Sequence, residues 1–288
     1  MTRSLTTSAV SQQLAKLEET GQTLLERHCR GVRLTDAAAA LVSRTQVGLS
    51  LLEEAEAELE ATDTTVAGQI TMSAFATAAR GLAPQAIIAL RKKYPQLAIT
   101  FHEQEPHESI PSLVRRDVDL IIVNDWQNAP IALPEGLTKA PLFDDIADIA
   151  LPPGHRLAKA KTVKLSDLAG EEWIAWQAGS ICYDWLLHTL RKEGHAPRIA
   201  HTAGEYARQL ALVAAGLVAA GLPRLGRDVV PTGVTLVPAE PAPRRHVHAA
   251  WRTHATRRNV INAAVEAFQA VARSVAAASA SSARTRRR

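Results

Sequence analysis

Residues Thr7–Thr35 read TSAVSQQLAKLEETGQTLLERHCRGVRLT. Val10, Leu14 and Leu17 fall at i, i+4 and i+7, one apolar stripe of an amphipathic helix, so the spacing predicts a helix over Thr7–Glu19. Thr6 or Thr7 supplies the cap, because a hydroxyl there accepts a bond from an unpaired backbone N–H. Gly21 marks its end. Leu24–Arg27 and Val32–Thr35 then flank His28-Cys29-Arg30-Gly31, which predicts a tight hairpin with Arg27, Arg30 and Arg33 crowded at its tip. The helix presents Thr7, Ser8, Ser11, Gln12 and Lys16 away from the stripe. Hydroxyls and amides can reach base edges while arginines hold phosphates, so the pair suits a DNA major groove. For the helix taken alone, an ordinary amphipathic surface helix is the competing reading.

SAVSQQLAKLE followed by LLERHCRGVRLT resembles the winged helix-turn-helix of LysR-type transcriptional regulators. The resemblance implies that the helix over Thr7–Glu19 lies in the major groove and that the hairpin Arg27–Arg33 rests on the DNA backbone. It also implies a first helix and the start of a second ahead of Thr7. The few residues before Thr6 are too short for these, so the head is expected to be incomplete, from either a late start assignment or a truncated copy. A small-molecule receptor that has lost DNA binding is the corresponding alternative.

Charge narrows the readings. The formal net charge is +4, and four arginines lie within Arg284–Arg288. Residues 1–35 carry five basic against three acidic groups, whereas residues 36–65 carry one against seven. Any DNA contact is therefore local and calls for a second copy of the chain, since few counterions are released per subunit. Cys29 and Cys182 lie far apart without metal-type spacing, which points to a reducing compartment. No apolar signal core opens the chain, and the longest apolar run, Leu210–Pro223, is too short to span a bilayer. A cytoplasmic protein without a membrane partner is expected.

From a Thr35 cap, residues 36–61 show a helical pattern with a weak heptad seam at Ala38, Leu41, Thr45, Gly48, Leu52, Ala55 and Leu59. In the family this is the linker helix through which two subunits pair, and Ala38 stands where the family usually has glycine. ATDTTVAG at 61–68 reads as a linker. Beyond it strands alternate with helices: strands at Gln69–Ala74, Ala98–His102, Val118–Val123, Leu217–Ala220 and His246–Trp251, and helices at Leu82–Lys93, Ser109–Arg116, Ser180–Lys192, Glu205–Ala215 and Val260–Val275. The alternation predicts an α/β domain built on a parallel sheet.

MSAFATAARGLAPQAIIALRKKYPQLAITFHEQEP, VRRDVDLIIV and PLFDDIADIALPPGHRLAKAKTVKLSDLAGEEWIAW resemble the LysR-type effector domain, whose two subdomains share their fold with type 2 periplasmic binding proteins. The expected division is a partial head at 1–35, a linker helix at 36–65 and an effector domain at 66–278. Within the last, subdomain I takes 66–142 and 241–278, subdomain II takes 143–240, and a disordered basic tail follows at 279–288, with disorder setting in from Ala276.

Ligands of open parallel sheets bind at the carboxyl ends of the strands, here the loops Ala74–Ala78, Asn124–Trp126, Gln177–Ser180 and Thr202–Tyr206. Candidate effector-binding residues are Phe75, Thr77, Asn124, Trp126, Gln177, Ser180 and Glu205. Helix N-termini and hydroxyl donors favour a small organic anion, with Glu205 the discordant member. His246 and His248 share a strand face near His254, but no carboxylate or cysteine stands at ligand spacing, so neither a metal nor a cofactor is expected. H-E-x-x-H, Gly-x-Ser-x-Gly and a dinucleotide fingerprint are absent, which argues against an enzyme; a transport-type binding protein would need a signal peptide and have no use for the head. The expected protein is a DNA-binding regulator that forms a homodimer or tetramer, with promoter DNA and a small effector as ligands and RNA polymerase as a candidate partner.

Overall fold

A computed structural model describes residues 6–19, 21–28, 31–61, 65–192, 194, 196–227 and 229–285, and the chain divides into two compact units, Met1–Leu59 and Glu60–Arg288.

In the first unit α1 spans Thr7–Glu18. The Thr6 hydroxyl caps it by accepting from Ala9 N at 3.2 Å, as the sequence leads one to expect. Glu18 then takes Leu24 N at 2.7 Å and closes the turn after the helix. Strands β1 (Leu25–His28) and β2 (Gly31–Leu34) pair antiparallel with Arg27 opposite Val32 and His28 opposite Gly31. The Thr35 hydroxyl both donates to Thr23 O at 2.8 Å and accepts from Ala38 N at 3.2 Å. It thereby ties the hairpin to the start of α2, Asp36–Ala61. Of the expected seam on α2, Ala38 is buried while Leu41, Leu52 and Leu59 are exposed.

The second unit has the expected parallel strands in both subdomains, joined through antiparallel crossing strands into one mixed sheet. Strands β3 (Gly68–Ala74), β4 (Leu97–Glu103) and β5 (Leu120–Trp126) run parallel. The fifteen-residue β6, Leu137–Leu151, passes from one subdomain into the other. In the second subdomain β7 (Glu172–Ala175) pairs parallel with β8 (Arg198–Thr202) and β9 (Ala219–Pro223). Strand β10, Thr235–Pro238, joins β6, and β11, Arg244–Arg252, lies antiparallel to both β5 and β6. The order β4-β3-β5-β11-β6-β9-β7-β8 puts the two antiparallel crossing strands, β11 and β6, at the centre. Two crossings that return antiparallel make an all-parallel sheet impossible.

Helices α3 (Ala76–Gly81), α4 (Ala83–Lys93), α5 (Pro106–Val114) and α8 (Asn259–Thr285) belong to the first subdomain, and α6 (Ile181–Lys192) and α7 (Tyr206–Ala214) to the second. Ile70, Met72, Leu90, Leu120, Ile122 and Phe268 fill one core, while Ile149, Trp173 and Leu190 and then Ile174, Leu210 and Val213 form two more. Each such fully buried side chain contributes roughly 1.5–3 kcal/mol.

Three boundaries differ from those expected. Asn124–Trp126 is not a loop but the end of β5, because Val247, His246 and Arg245 on β11 pair with it. Part of the expected loop Ala74–Ala78 is α3. The chain beyond Ala276, expected to be disordered, continues as helix to Thr285; its run of alanines and serines has the propensity to extend a helix already anchored by Phe268 and Ala272. Residues 286–288 lie outside the described residues.

After β9 the chain turns tightly against α3. Arg224 and Arg227 grip Asp148, with Nη2–Oδ1 at 2.6 Å and Nη1–Oδ2 at 2.9 Å. A Cβ on Gly81 would sit 2.7 Å from Leu225 Cδ1 and 2.8 Å from Gly226 N, and a Cβ on Gly226, whose φ is +61°, would run into the Thr77 carbonyl oxygen. The Gly226→Ala variant is expected to lose about 3 kcal/mol of stability. Gly170→Ala, which meets nothing within 4 Å, should stay within about 0.5 kcal/mol of the parent. Urea midpoints at constant m-value measure both.

Candidate functional site

The candidate groove-reading residues Thr7, Ser8, Ser11, Gln12 and Lys16 are all exposed on α1, and no residue of that helix is buried. Ser11 Oγ bonds back to Thr7 O at 3.0 Å. The apolar stripe is also uncovered among the described residues, with Val10 at 41% and Leu17 at 46% exposure. On the hairpin, Arg27 is exposed, and Arg33 is held by Glu26 directly opposite, Nη2–Oε1 2.5 Å. An exposed pair of this kind is worth no more than about 1 kcal/mol, so a phosphate can replace the glutamate. Arg30 lies outside the described residues.

In the second unit, three of the candidate effector residues meet around a side chain that the sequence reading left out. Arg245 on β11 is 1% exposed, donates from Nη2 to Thr77 Oγ1 at 2.8 Å, and has its guanidinium carbon 5.1 Å from the Phe75 ring centroid and 5.8 Å from that of Trp126. Asp145 on β6 takes its Nε at 2.9 Å and Nη2 at 2.8 Å. The same carboxylate accepts from Leu225 N at 3.1 and 3.2 Å. Burial alone would favour a neutral guanidine, but the Asp145 charge outweighs it and the Arg245 pKa rises. Thus α3, both crossing strands and the turn after β9 converge on one ion pair.

Asn124 stands beside this junction at the end of β5, on the same strand face as Ile122 and Trp126. It is 1% exposed, and neither its amide nitrogen nor its amide oxygen has a partner among the described residues. A buried polar group left this way costs about 1–3 kcal/mol. Glu105, which precedes α5, accepts from Ala76 N at 3.3 Å; burial pushes its pKa up, while that bond and Arg245 pull it down.

The remaining candidates are spread more widely. Ser180 is buried and caps α6 by accepting from Tyr183 N at 3.2 Å. Gln177 is exposed in the loop before it, and Glu205 is exposed and paired with Arg208 at 3.3 Å. Trp126 stacks on Trp185 with centroids 3.8 Å apart. Between these rings, Trp176, Cys182 and Tyr206 only about 20 Å³ is open, whereas a hollow of about 350 Å³ lies outside, lined by Pro106, Ile110, Ile131, Gly179 and Asp184. The interior is thus filled by aromatic side chains and the cleft opens outward between α5 and α6.

Arg245, Asp145, Glu105, Cys182 and Tyr206 were the residues missed. His246 and His248 do share a face, with His246 bonded to Asp144 at 2.7 Å and His248 3.6 Å from Asp125. No cluster of three metal-ligating side chains occurs among the described residues.

Comparison with known proteins covers both units. Residues 2–39 match the family model described as bacterial regulatory helix-turn-helix protein, lysR family, and residues 63–273 match the LysR substrate binding domain. The chain is 27% identical over 242 residues to the transcriptional dual regulator GltC of Bacillus subtilis, covering 82% of this chain and 74% of that one. It is 28% identical over 247 residues to a hydrogen peroxide-inducible genes activator of Pectobacterium carotovorum, covering 84% and 80%. A full-length OxyR variant from Pseudomonas aeruginosa has the same fold, with TM-score 0.69, 23% identity and coverage of 93% and 88%.

Burial pushes the Cys182 thiol up to about 11, so at pH 8 roughly one molecule in a thousand carries the thiolate. A Cys29→Ser variant is accordingly expected to resist Ellman's reagent at pH 8 while folded and to label with one equivalent per chain in guanidinium. Labelling within minutes in the folded protein would show an accessible thiolate instead.

Proposed function

We propose, since this chain belongs to the LysR family of DNA-binding transcriptional regulators, that its first unit reads operator DNA through α1 and that its second responds to a small organic anion held at Asn124 and Arg245. Regulators of this family bind DNA and small-molecule effectors and act as oligomers; they are not enzymes.

The observation that carries the effector reading is the unanswered Asn124 amide, buried on the strand face it shares with Trp126, the ring that lies against the Arg245 guanidinium. A ligand carboxylate can accept from both Asn124 Nδ2 and Arg245 Nη1, and a hydroxyl or amide on the same ligand can donate to Asn124 Oδ1. With about 20 Å³ open inside, such a ligand enters only as the subdomains part or the Trp126–Trp185 stack shifts. Binding therefore selects a second arrangement of the domain, and effector and DNA affinities are linked reciprocally. Some relatives are named for hydrogen peroxide induction. The Cys182 thiol is half-buried and its pKa is pushed up to about 11, which lowers its reactivity toward oxidants.

On the DNA side, Thr7, Ser8, Ser11 and Gln12 supply base-edge contacts, and Lys16, Arg27, Arg30 and Arg33 contact phosphates. The exposed Leu41, Leu52 and Leu59 of α2, together with Val47 and Leu51, support pairing with α2 of a second copy. A homodimer or a dimer of dimers in the cytoplasm, placed to engage RNA polymerase, completes the reading.

Titration of the full chain with the duplex upstream of its own gene, by fluorescence anisotropy, tests the head. Gln12→Ala should weaken operator binding by about tenfold or more while leaving random duplex unaffected. Lys16→Ala should weaken both alike and flatten the salt dependence by about one phosphate. Equal affinity of the parent for operator and random DNA at every salt concentration contradicts the reading.

A further inference from the structure

A groove of about 780 Å³ lies where the carboxyl half of α6 faces the segment leading into β11. Its volume falls in the range of small-molecule sites. Three cations line it from three elements: Lys164 before the short 3₁₀ turn Leu165–Leu168, Lys192 at the end of α6, and Arg244 at the start of β11. All three are exposed, and none makes a side-chain ion pair among the described residues. Glu240 is the single acid in the lining, with His188 beside it. Like charges gathered on one concavity repel, and a bound anion relieves that repulsion.

Planar and ring side chains, Trp185, itself 5% exposed, and Pro241 and Pro243, supply the apolar part of the lining. Asn128 and Thr189, bonded to each other at 2.9 Å, add polar atoms at one end. None of the groups gathered at the cleft junction, Thr77, Asn124, Asp145, Arg245 or Glu105, lines this groove. Trp185, which lines the groove, also stacks on Trp126, and Trp126 in turn lies against Arg245; Gln127 and Arg244 of the lining are the chain neighbours of Trp126 and Arg245.

We propose that this groove is a second ligand site, separate from the cleft, that takes an organic anion with a flat apolar body, an aromatic carboxylate or aryl phosphate. The anion sits among Lys164, Lys192 and Arg244 while the ring packs on Trp185 and the two prolines. A ligand there presses on the Trp185–Trp126 stack, so its occupancy changes the environment of an aromatic pair that closes the inner cleft.

The test is calorimetric titration of the full chain with phthalate and with phenyl phosphate, and with benzamide as the uncharged counterpart, followed in parallel by tryptophan fluorescence. At least one anion is expected to bind saturably with Kd below about 1 mM, with a change in emission, while benzamide does not. The double variant Lys192→Glu/Arg244→Glu replaces two exposed side chains and should keep the parent urea midpoint while raising Kd at least about tenfold. Asn124→Ala, which alters the cleft alone, should leave that Kd within about twofold. Absence of saturable binding by either anion, an unchanged Kd in the charge-reversed variant, or loss of binding in Asn124→Ala each overturns the proposal.

Discussion

A guanidinium buried to 1% exposure cannot stand without a counter-charge, and in this protein the counter-charge comes from a different strand. Arg245 and Asp145 lie on the two strands that cross between subdomains, so the electrostatic need of one side chain fixes the register of both. Taking away either partner of such a pair costs about 3–5 kcal/mol, because the other is left charged and dry. The pair also recruits groups from each side: the Thr77 hydroxyl on α3 and the Leu225 amide after β9. The close approach of Gly226 to Thr77 follows from the same junction, since the turn must reach far enough to place Leu225 N on Asp145.

That arrangement explains why the cleft interior is shut. With Arg245 drawn toward Asp145, Phe75 and Trp126 pack on its faces, and Trp126 completes a stack with Trp185 from the opposite subdomain. Among the described residues, Asn124 is the buried side chain at the junction left unsatisfied on both its polar atoms. On the proposed reading, a ligand that brings both a donor and an acceptor answers these groups, and Trp126 Nε1 beside them also lacks a partner among the described residues. In the first unit the balance is reversed. There α1 buries nothing, and its polar face and apolar stripe are both open among the described residues, as suits a surface completed by other molecules.

Much of this was legible in the chain because local chemistry set it. The hydroxyls of Thr6 and Thr35 cap α1 and α2 where the sequence places them, and the strands on either side of the anticipated turn pair antiparallel. What escaped depended on long-range pairing. The apolar run Leu120–Val123 suggests a strand that stops at Val123, but β11 continues to offer backbone partners, so Asn124–Trp126 remain extended. Arg245 is hidden in a run of Arg244, Arg245 and His246 that looks solvated. Its signal lies in strand alternation, since Val247, Ala249 and Trp251 point inward and Arg245 shares their parity. Asp145, one hundred residues earlier in the chain, could not be matched to it from spacing alone. Gln177 and Glu205 stand in loops, and the loops leave both exposed.

The Arg245–Asp145 pair ties together the two strands that cross between the subdomains. Native-state hydrogen exchange at the Leu225 amide reads this directly, because that N–H is buried and bonded only through Asp145. Protection close to that of the core strands β5 and β11 is expected in the unliganded protein. In an Arg245→Gln variant the same amide should exchange faster while β3 stays protected. Exchange of Leu225 at the rate of an open loop in the parent protein would contradict that role for the pair.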